Sequence, residues 1–236
     1  MRTYNKPMQT PGHYERAAVT ILAGLLLTIL GCNKPPPPPP AAEPPSKNAS
    51  GTVNFDAVLV GALPLGWVAG VTGTGSPMWT VEADSTAPSQ PNVLKQSGQG
   101  TFCWCVKKDV SFSEGFVEVQ FKPISGTEDQ AGGLIWRWKD GDNYYVARAN
   151  ALENNVAIYH TIQGKRTSFK SVKARVATNQ WHTLRVDFKG KEFVVTFNGK
   201  ALIQVEDGSI SGTGAIGVWT KADSVTVFDE FAFAGK

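Results

Sequence analysis

GGLIWRWKDGDNYYVARAN, residues 132–150, consists of two runs of aliphatic and aromatic residues divided by Asp140-Gly141-Asp142-Asn143. A four-residue loop there places Lys139 opposite Tyr144 and pairs Trp138 with Tyr145, Trp136 with Ala147 and Leu134 with Ala149. All of these pairs are apolar and most set large against small, which assigns them to a core face. The other face receives Arg137, Ile135 and Gly133 against Val146, Arg148 and Asn150, with the two arginines as diagonal neighbours about 7–8 Å apart. A slip of one residue would turn the tryptophans to water, so the alternation fixes the register.

A second hairpin follows from QWHTLRVDFKGKEFVVTFNGK, residues 180–200. A turn at Gly190-Lys191 pairs Phe188 with Phe193, Val186 with Val195 and Leu184 with Phe197 on an apolar face. Trp181, Thr183, Arg185 and Asp187 occupy the opposite face. Asn198-Gly199-Lys200 makes the next turn, and a three-residue loop keeps Ile203 and Val205 on the core side.

Similar short runs recur between turn residues: TFCWCV from 101, GFVEVQFK from 115, NVAIYHTI from 155, GAIGVWTK from 214 and SVTVFDEFAF from 224. No amphipathic helical period stands out. The spacing predicts an all-β, two-sheet antiparallel sandwich of roughly a dozen strands. All seven Trp and all twelve Phe lie after residue 52, which places the core there.

The 236 residues carry a net charge of +3. Arg2, Lys6 and Arg16 against Glu15 account for most of it, so the rest of the chain is nearly neutral and gives no sign of a nucleic-acid partner. AAVTILAGLLLTILG, residues 17–31, follows this basic start and is short for a ~30 Å hydrocarbon core. It reads as the apolar part of an export signal. Ile29-Leu30-Gly31-Cys32 resembles the bacterial lipobox, where cleavage precedes a cysteine that becomes lipidated; an uncleaved anchor is the alternative. The prolines of NKPPPPPPAAEPPSKNASG predict a stiff extended spacer. The expected organisation is a signal at 1–31, a lipidated Cys32 and stalk over 32–51, and a sandwich domain over 52–236. The domain would face the periplasm or cell surface, tethered to a membrane.

Several side chains could form a site on the faces turned away from the core. Arg137, Tyr144, Arg148, Asn150 and Glu153 cluster about the first hairpin, Trp181, Arg185 and Asp187 about the second, and Trp219, Lys221 and Asp223 where a late strand turns. Aromatic rings beside multi-donor side chains suit sugars, through stacking on C–H faces and hydrogen bonds to hydroxyls. A solvated sheet face with ion pairs accounts for the same pattern, with Glu153 and Asp187 as counter-ions of Arg148 and Arg185.

The runs GGLIWRWKDGDNYYVARANALENNVAIY, QWHTLRVDFKGKEFVVTFNGK and GAIGVWTKADSVTVFDEF, with FDAVLVGALPLGW and MWTVEAD before them, resemble the concanavalin A-like jelly rolls of exported bacterial proteins. The chain is similar over about 53–235 to laminin G-like modules and to 3-keto-disaccharide hydrolase-like domains, and loosely to family 16 glycoside hydrolases. The resemblance implies a jelly roll of lectin and glucanase architecture. It does not fix an activity, because this fold hosts lectins, structural modules and enzymes. The Glu-x-Asp-x-x-Glu strand of family 16, which supplies paired carboxylates, has no counterpart here. Glu82-Ala83-Asp84 lacks the last Glu, and Glu114 to Glu118 lacks the central Asp. No catalytic role is therefore carried over.

No cofactor is expected. Asp140 and Asp142 offer oxygen ligands for Ca²⁺, although such sequences make turns on their own account. His160 and His182 have no zinc-like spacing. Cys103 and Cys105, two apart on a strand, share a face and read as buried thiols. The leading expectation is a membrane-anchored glycan-interaction module. The alternatives are a glycoside hydrolase acting on 3-keto or other saccharides, with Glu153 or Asp187 as acid or base, and a protein-binding envelope module.

Overall fold

The computed structural model describes residues 49–236; the expected export segment, Cys32 and the proline run lie outside the described residues. All fifteen strands pair antiparallel, in two sheets. Sheet A is ordered β13 (Lys200–Glu206), β12 (Glu192–Phe197), β11 (His182–Lys189), β6 (Gly115–Ser125), β15 (Val225–Gly235), β4 (Asn92–Gln96) and β3 (Trp79–Ala83), with β1 (Ala49–Val53) also on β15. Sheet B is ordered β10 (Lys165–Lys173), β9 (Asn155–Ile162), β8 (Asn143–Asn150), β7 (Ala131–Asp140), β14 (Gly214–Ala222), β5 (Gln99–Phe112) and β2 (Trp67–Ser76). This is the two-sheet sandwich the alternating runs predicted and the jelly roll the resemblance implied. Among the described residues, β1 pairs from Ala49 onward, with Gly235.

The main core fills the space between the sheets. Phe121, Val186, Phe193 and Phe228 from sheet A meet Leu134, Trp136, Tyr145 and Val218 from sheet B. The β11–β12 register is the expected one, Phe188 with Phe193, Val186 with Val195 and Leu184 with Phe197. The following turn differs. Phe197 pairs with Lys200 across a two-residue Asn198-Gly199 turn, both residues at positive φ, as a type I′ turn requires. A bulge at Leu202 restores the alternation, so Ile203 still reaches the core.

The β7–β8 register is shifted by two residues from the expected pairing. Trp136 pairs with Tyr145, Leu134 with Ala147 and Gly132 with Ala149, while Asp140 pairs with Asn143. Three residues of β7 therefore oppose Tyr144 alone, a special bulge larger than the usual two against one, built on Arg137 at φ 49°. A shift of two preserves parity, so Trp136, Leu134, Tyr145, Ala147 and Ala149 face the core as predicted. Within the bulge the parity reverses. Trp138 leaves the core face and packs on Trp104 at 5.4 Å. Arg137 swings to the sandwich edge, over Phe188 and Phe193. There it donates to the carbonyls of Ile210 at 3.1 Å, Ser113 at 3.1 Å and Gly190 at 2.6 Å. It does not share a face with Arg148. Gly214 lies across from the bulge, where a Cβ would come within 2.4 Å of the Arg137 carbonyl carbon.

Cys103 and Cys105 are buried free thiols on the core face of β5. Burial raises both, Cys103 to about 11.

Sheet B curls strongly. Strands β7, β14 and β5 separate β8 from β2, a span of about 19 Å if flat at ~4.8 Å per strand. Yet Tyr144 on β8 donates to Thr72 on β2 at 2.8 Å, and Thr72 donates in turn to the Gly141 carbonyl of the β7–β8 turn. Gly70 on β2 has the Trp104 ring 2.4 Å from where its Cβ would be. The hollow of this curl is filled by a second cluster that includes Trp138, Tyr144, Val146, Tyr159 and Trp219.

Candidate functional site

The curl of sheet B brings Arg148, Asn150, Glu153, Lys221 and Asp223 to one end of its hollow. Arg148, 2% exposed, emerges from β8 away from the main core. Its NH2 donates to Glu153 Oε2 at 2.8 Å and to Asn155 Oδ1 at 2.9 Å, and its NH1 to Glu153 Oε1 at 3.2 Å. Glu153 is the expected counter-ion. It sits in the tight β8–β9 turn that Asn150 holds by accepting from the backbone N–H groups of Leu152 and Glu153.

A second carboxylate, Asp129, was not anticipated. It comes from the β6–β7 loop, is 1% exposed and lies 3.6 Å from Arg148 NH1. Asn150 Nδ2 and Lys221 Nζ donate to its two oxygens. Asp223, from the β14–β15 turn, aims that loop. Its carboxylate accepts from the backbone N–H groups of Thr127 at 2.6 Å, Glu128 at 3.0 Å and Asp129 at 3.0 Å, and from the Thr127 hydroxyl at 2.9 Å. Asp223 is thus a structural clamp behind the cluster.

Aromatic rings line the hollow beside these charges. Trp219 stacks on Phe102 at 5.7 Å. Arg166 from β10 lies over Tyr159 at 4.4 Å, Phe102 at 4.5 Å and Trp219 at 5.6 Å, and Arg148 lies over Tyr159 at 5.6 Å. Tyr144 and Trp219, expected on an open face, are fully buried, because the curl folds the face in on itself. The open part is a neighbouring groove of about 330 Å³ lined by Thr74, Gln99, Thr101, Glu128, Lys221 and Asp223. Lys221, 24% exposed, bridges this groove and the buried cluster.

The protonation states follow from these contacts. Hydrogen bonds from Arg148 hold Glu153 below the usual carboxylate range against some desolvation. Burial pulls Asp223 upward, but the backbone N–H groups of Thr127, Asp129 and Glu128 and the Thr127 hydroxyl outweigh it and bring it to about 2. Burial raises the Tyr144 phenol, opposed by its hydrogen bond to Thr72.

The other candidates lie elsewhere. Arg185, Asp187 and Trp181 belong to the outer face of sheet A. Arg185 makes the expected pair with Asp187, at 2.6 and 2.8 Å, and stacks over Phe116 at 3.7 Å. Trp181 lies under Lys122 at 5.0 Å beside a small cluster of Ala87, Val93 and Val227. Arg137 is at the sandwich edge described above. Asp140 Oδ1 accepts from Asp142 N and Asn143 Nδ2, each at 2.8 Å, and so holds the hairpin turn. Among the described residues no group of three or more His, Cys, Asp or Glu is arranged to hold a metal.

Residues 62–231 match the model of the 3-keto-alpha-glucoside-1,2-lyase-like domain. No functionally curated protein matches the chain. Among solved structures, the carbohydrate-binding module CBM66 from Bacillus subtilis superposes with a TM-score of 0.59 at 20% identity, over 70% of this chain and 93% of that one. The cellulose-induced protein Cip1 gives 0.57 at 11% identity, over 78% and 97%. A prokaryotic β-1,3-1,4-glucanase from a mouse hindgut metagenome gives 0.52 at 13% identity, over 78% and 98%. At these identities the likeness is one of fold.

Because the folded pKa of Asp223 lies below its ordinary 3.8, its contribution to stability is present above that value and is lost as pH falls toward about 2. Urea midpoints measured from pH 5 down to pH 2 are expected to drop most steeply across this window. Asp223→Asn should lower the midpoint at pH 5 and flatten the drop. An unchanged acid profile in the variant would refute the clamp.

Proposed function

The chain belongs to the family of 3-keto-alpha-glucoside-1,2-lyase-like domains, and from that premise we propose that it is a saccharide-recognising module working at the Lys221 end of the sheet B hollow. The observation that carries this reading is the groove of about 330 Å³ whose wall, Lys221, is tied to the buried Arg148–Asp129 cluster. That volume suits one or two sugar rings. Thr74, Gln99, Thr101 and Lys221 offer the hydroxyl, amide and ammonium groups that sugar hydroxyls pair with. CBM66, by its name a carbohydrate-binding module, has the same fold, which supports the reading at the level of fold.

The geometry favours binding over catalysis at the residues the sequence offered as acid or base. Glu153 is held by Arg148 and Asn155 and Asp187 by Arg185. Arginine pairing makes Glu153 harder to protonate, so it is a poor proton donor near neutral pH and a weakened base. The family match supports a second reading, 1,2-elimination on a 3-keto glucoside. In that step a base takes the C2 proton, the C1–O bond breaks, and C1=C2 forms as the leaving oxygen is protonated.

We propose also that the domain is exported and tethered through a lipid on Cys32, with the proline run as spacer. The support is the basic start, the apolar stretch 17–31 and the Ile29-Leu30-Gly31-Cys32 sequence.

Calorimetry of the full-length chain on hits from a glycan array is expected to give saturable binding. Lys221→Ala should weaken it about tenfold or more and Arg185→Ala, on the opposite sheet, should leave it unchanged. An intact fold that binds no glycan at millimolar concentration would overturn the reading. The elimination reading expects an ultraviolet-absorbing unsaturated product from 3-keto glucosides. Turnover that Glu153→Gln leaves equal to wild type would remove Glu153 as its acid or base. In a bacterial host, Cys32→Ala is expected to abolish fatty-acid labelling and move the chain from the membrane to the soluble fraction; retained labelling would refute Cys32 as the anchor.

A further inference from the structure

The charges lining the sheet B hollow are not all paired. Arg148, Arg166 and Lys221 supply three positive charges, and Asp129 and Glu153 supply two negative ones beside Asp223, which is engaged by backbone N–H groups. Arg148 is shared between both carboxylates, and Lys221 is spent on Asp129. Arg166 has no ion pair among the described residues. Its guanidinium is held by rings alone, at 4.4 Å from Tyr159, 4.5 Å from Phe102 and 5.6 Å from Trp219.

Its hydrogen-bonding is also incomplete. Arg166 NH1 is buried with no acceptor, and so are Arg148 Nε and the indole N–H groups of Trp104 and Trp138; the Thr161 hydroxyl and the Trp219 indole turn to the Tyr144 hydroxyl. Buried polar groups are ordinarily satisfied, and each one left unpaired is costly. These are four groups able to donate, gathered on one face of one sheet. Burial and the nearby Arg148 both disfavour the charge on Arg166, but a guanidinium stays protonated at any physiological pH. The site holds a cation without an ion pair, with donors to spare.

We infer that the ligand of this site is an acidic saccharide, whose carboxylate, or sulfate in its place, pairs with Arg166 while its ring lies against the partly exposed Phe102. The inference rests on the saccharide reading above and adds the chemical class. A guanidinium presents a planar fork that matches two oxygens of a carboxylate, and such pairs are stronger than neutral hydrogen bonds. Arg166 as a whole is only partly buried. Glu128 and Asp223 line the neighbouring groove. Asp223 is engaged by backbone N–H groups, and Glu128 repels an anion there, so the acid group is assigned to Arg166 rather than to the groove.

The test uses the full-length chain and an array of uronate oligosaccharides, each printed as the free acid and as its neutral methyl ester. Wild type is expected to bind some acids at least about tenfold more tightly than their esters. Arg166→Gln should abolish that preference and bind acid and ester alike, at the affinity of the ester. Arg166→Lys, which keeps the charge, should retain part of the preference, and near-UV circular dichroism reports the folding of both variants. If wild type binds acids and esters equally, or neutral glycans better, the acidic class is overturned and the saccharide reading stands. If no glycan binds while the fold is intact, both fall together.

Discussion

The constraint on which the structure depends is the buried guanidinium of Arg148. A charge at 2% exposure costs several kcal/mol in lost hydration unless it is paired and hydrogen-bonded. Three separate turns are built to meet that cost. The β8–β9 turn returns Glu153 and Asn155 to the arginine within seven residues. The β6–β7 loop supplies Asp129, and the β14–β15 turn supplies both Lys221, which holds Asp129, and Asp223, which sets the loop carrying it. One end of sheet B is thereby cross-linked across four strands by side-chain charge rather than by the backbone ladder alone.

The curl of sheet B is the geometric partner of this network. Open sandwiches keep one sheet face dry and leave the other to water. Here sheet B is apolar on both faces, with Trp136, Leu134 and Tyr145 turned to the main core and Trp138, Tyr144 and Trp219 filling the hollow. The Arg137 bulge makes this possible, because bulges add local twist and re-aim side chains. It turns Trp138 outward and lets the β7–β8 turn fold toward β2, where Gly141 meets Thr72. A left-handed backbone at Arg137 carries strain, and three carbonyl acceptors at the sandwich edge hold the residue there.

How much of this could be read in the sequence depended on how far each interaction reaches. The β11–β12 register was legible because a two-residue turn and a strict alternation leave one pairing. The Arg148–Glu153 and Arg185–Asp187 pairs were legible for the same local reason, being five and two residues apart. The β7–β8 shift was not. Nothing between residues 132 and 150 indicates a bulge, since the acceptors that stabilise Arg137 lie 24, 53 and 73 residues away. Asp129 and Arg166 were missed likewise. Asp129 reads as a loop carboxylate in SGTEDQ and Arg166 as a wet turn residue in GKRT, and only the topology brings them to Arg148 and Phe102.

That division separates two kinds of work within one face. In the Arg148 cluster both carboxylates are engaged and only Arg148 Nε lacks an acceptor; removing one partner would leave an uncompensated charge, which is how buried networks stabilise a single arrangement. The aromatic part is unsaturated, with donors left over and a cation held only by rings. A fold tolerates unsatisfied groups of that kind where a ligand supplies the missing acceptors, and selection for stability alone would replace them with apolar side chains of similar shape. The charged end is the support, and the unsaturated patch beside it is where the proposed recognition would be retained at a cost in stability.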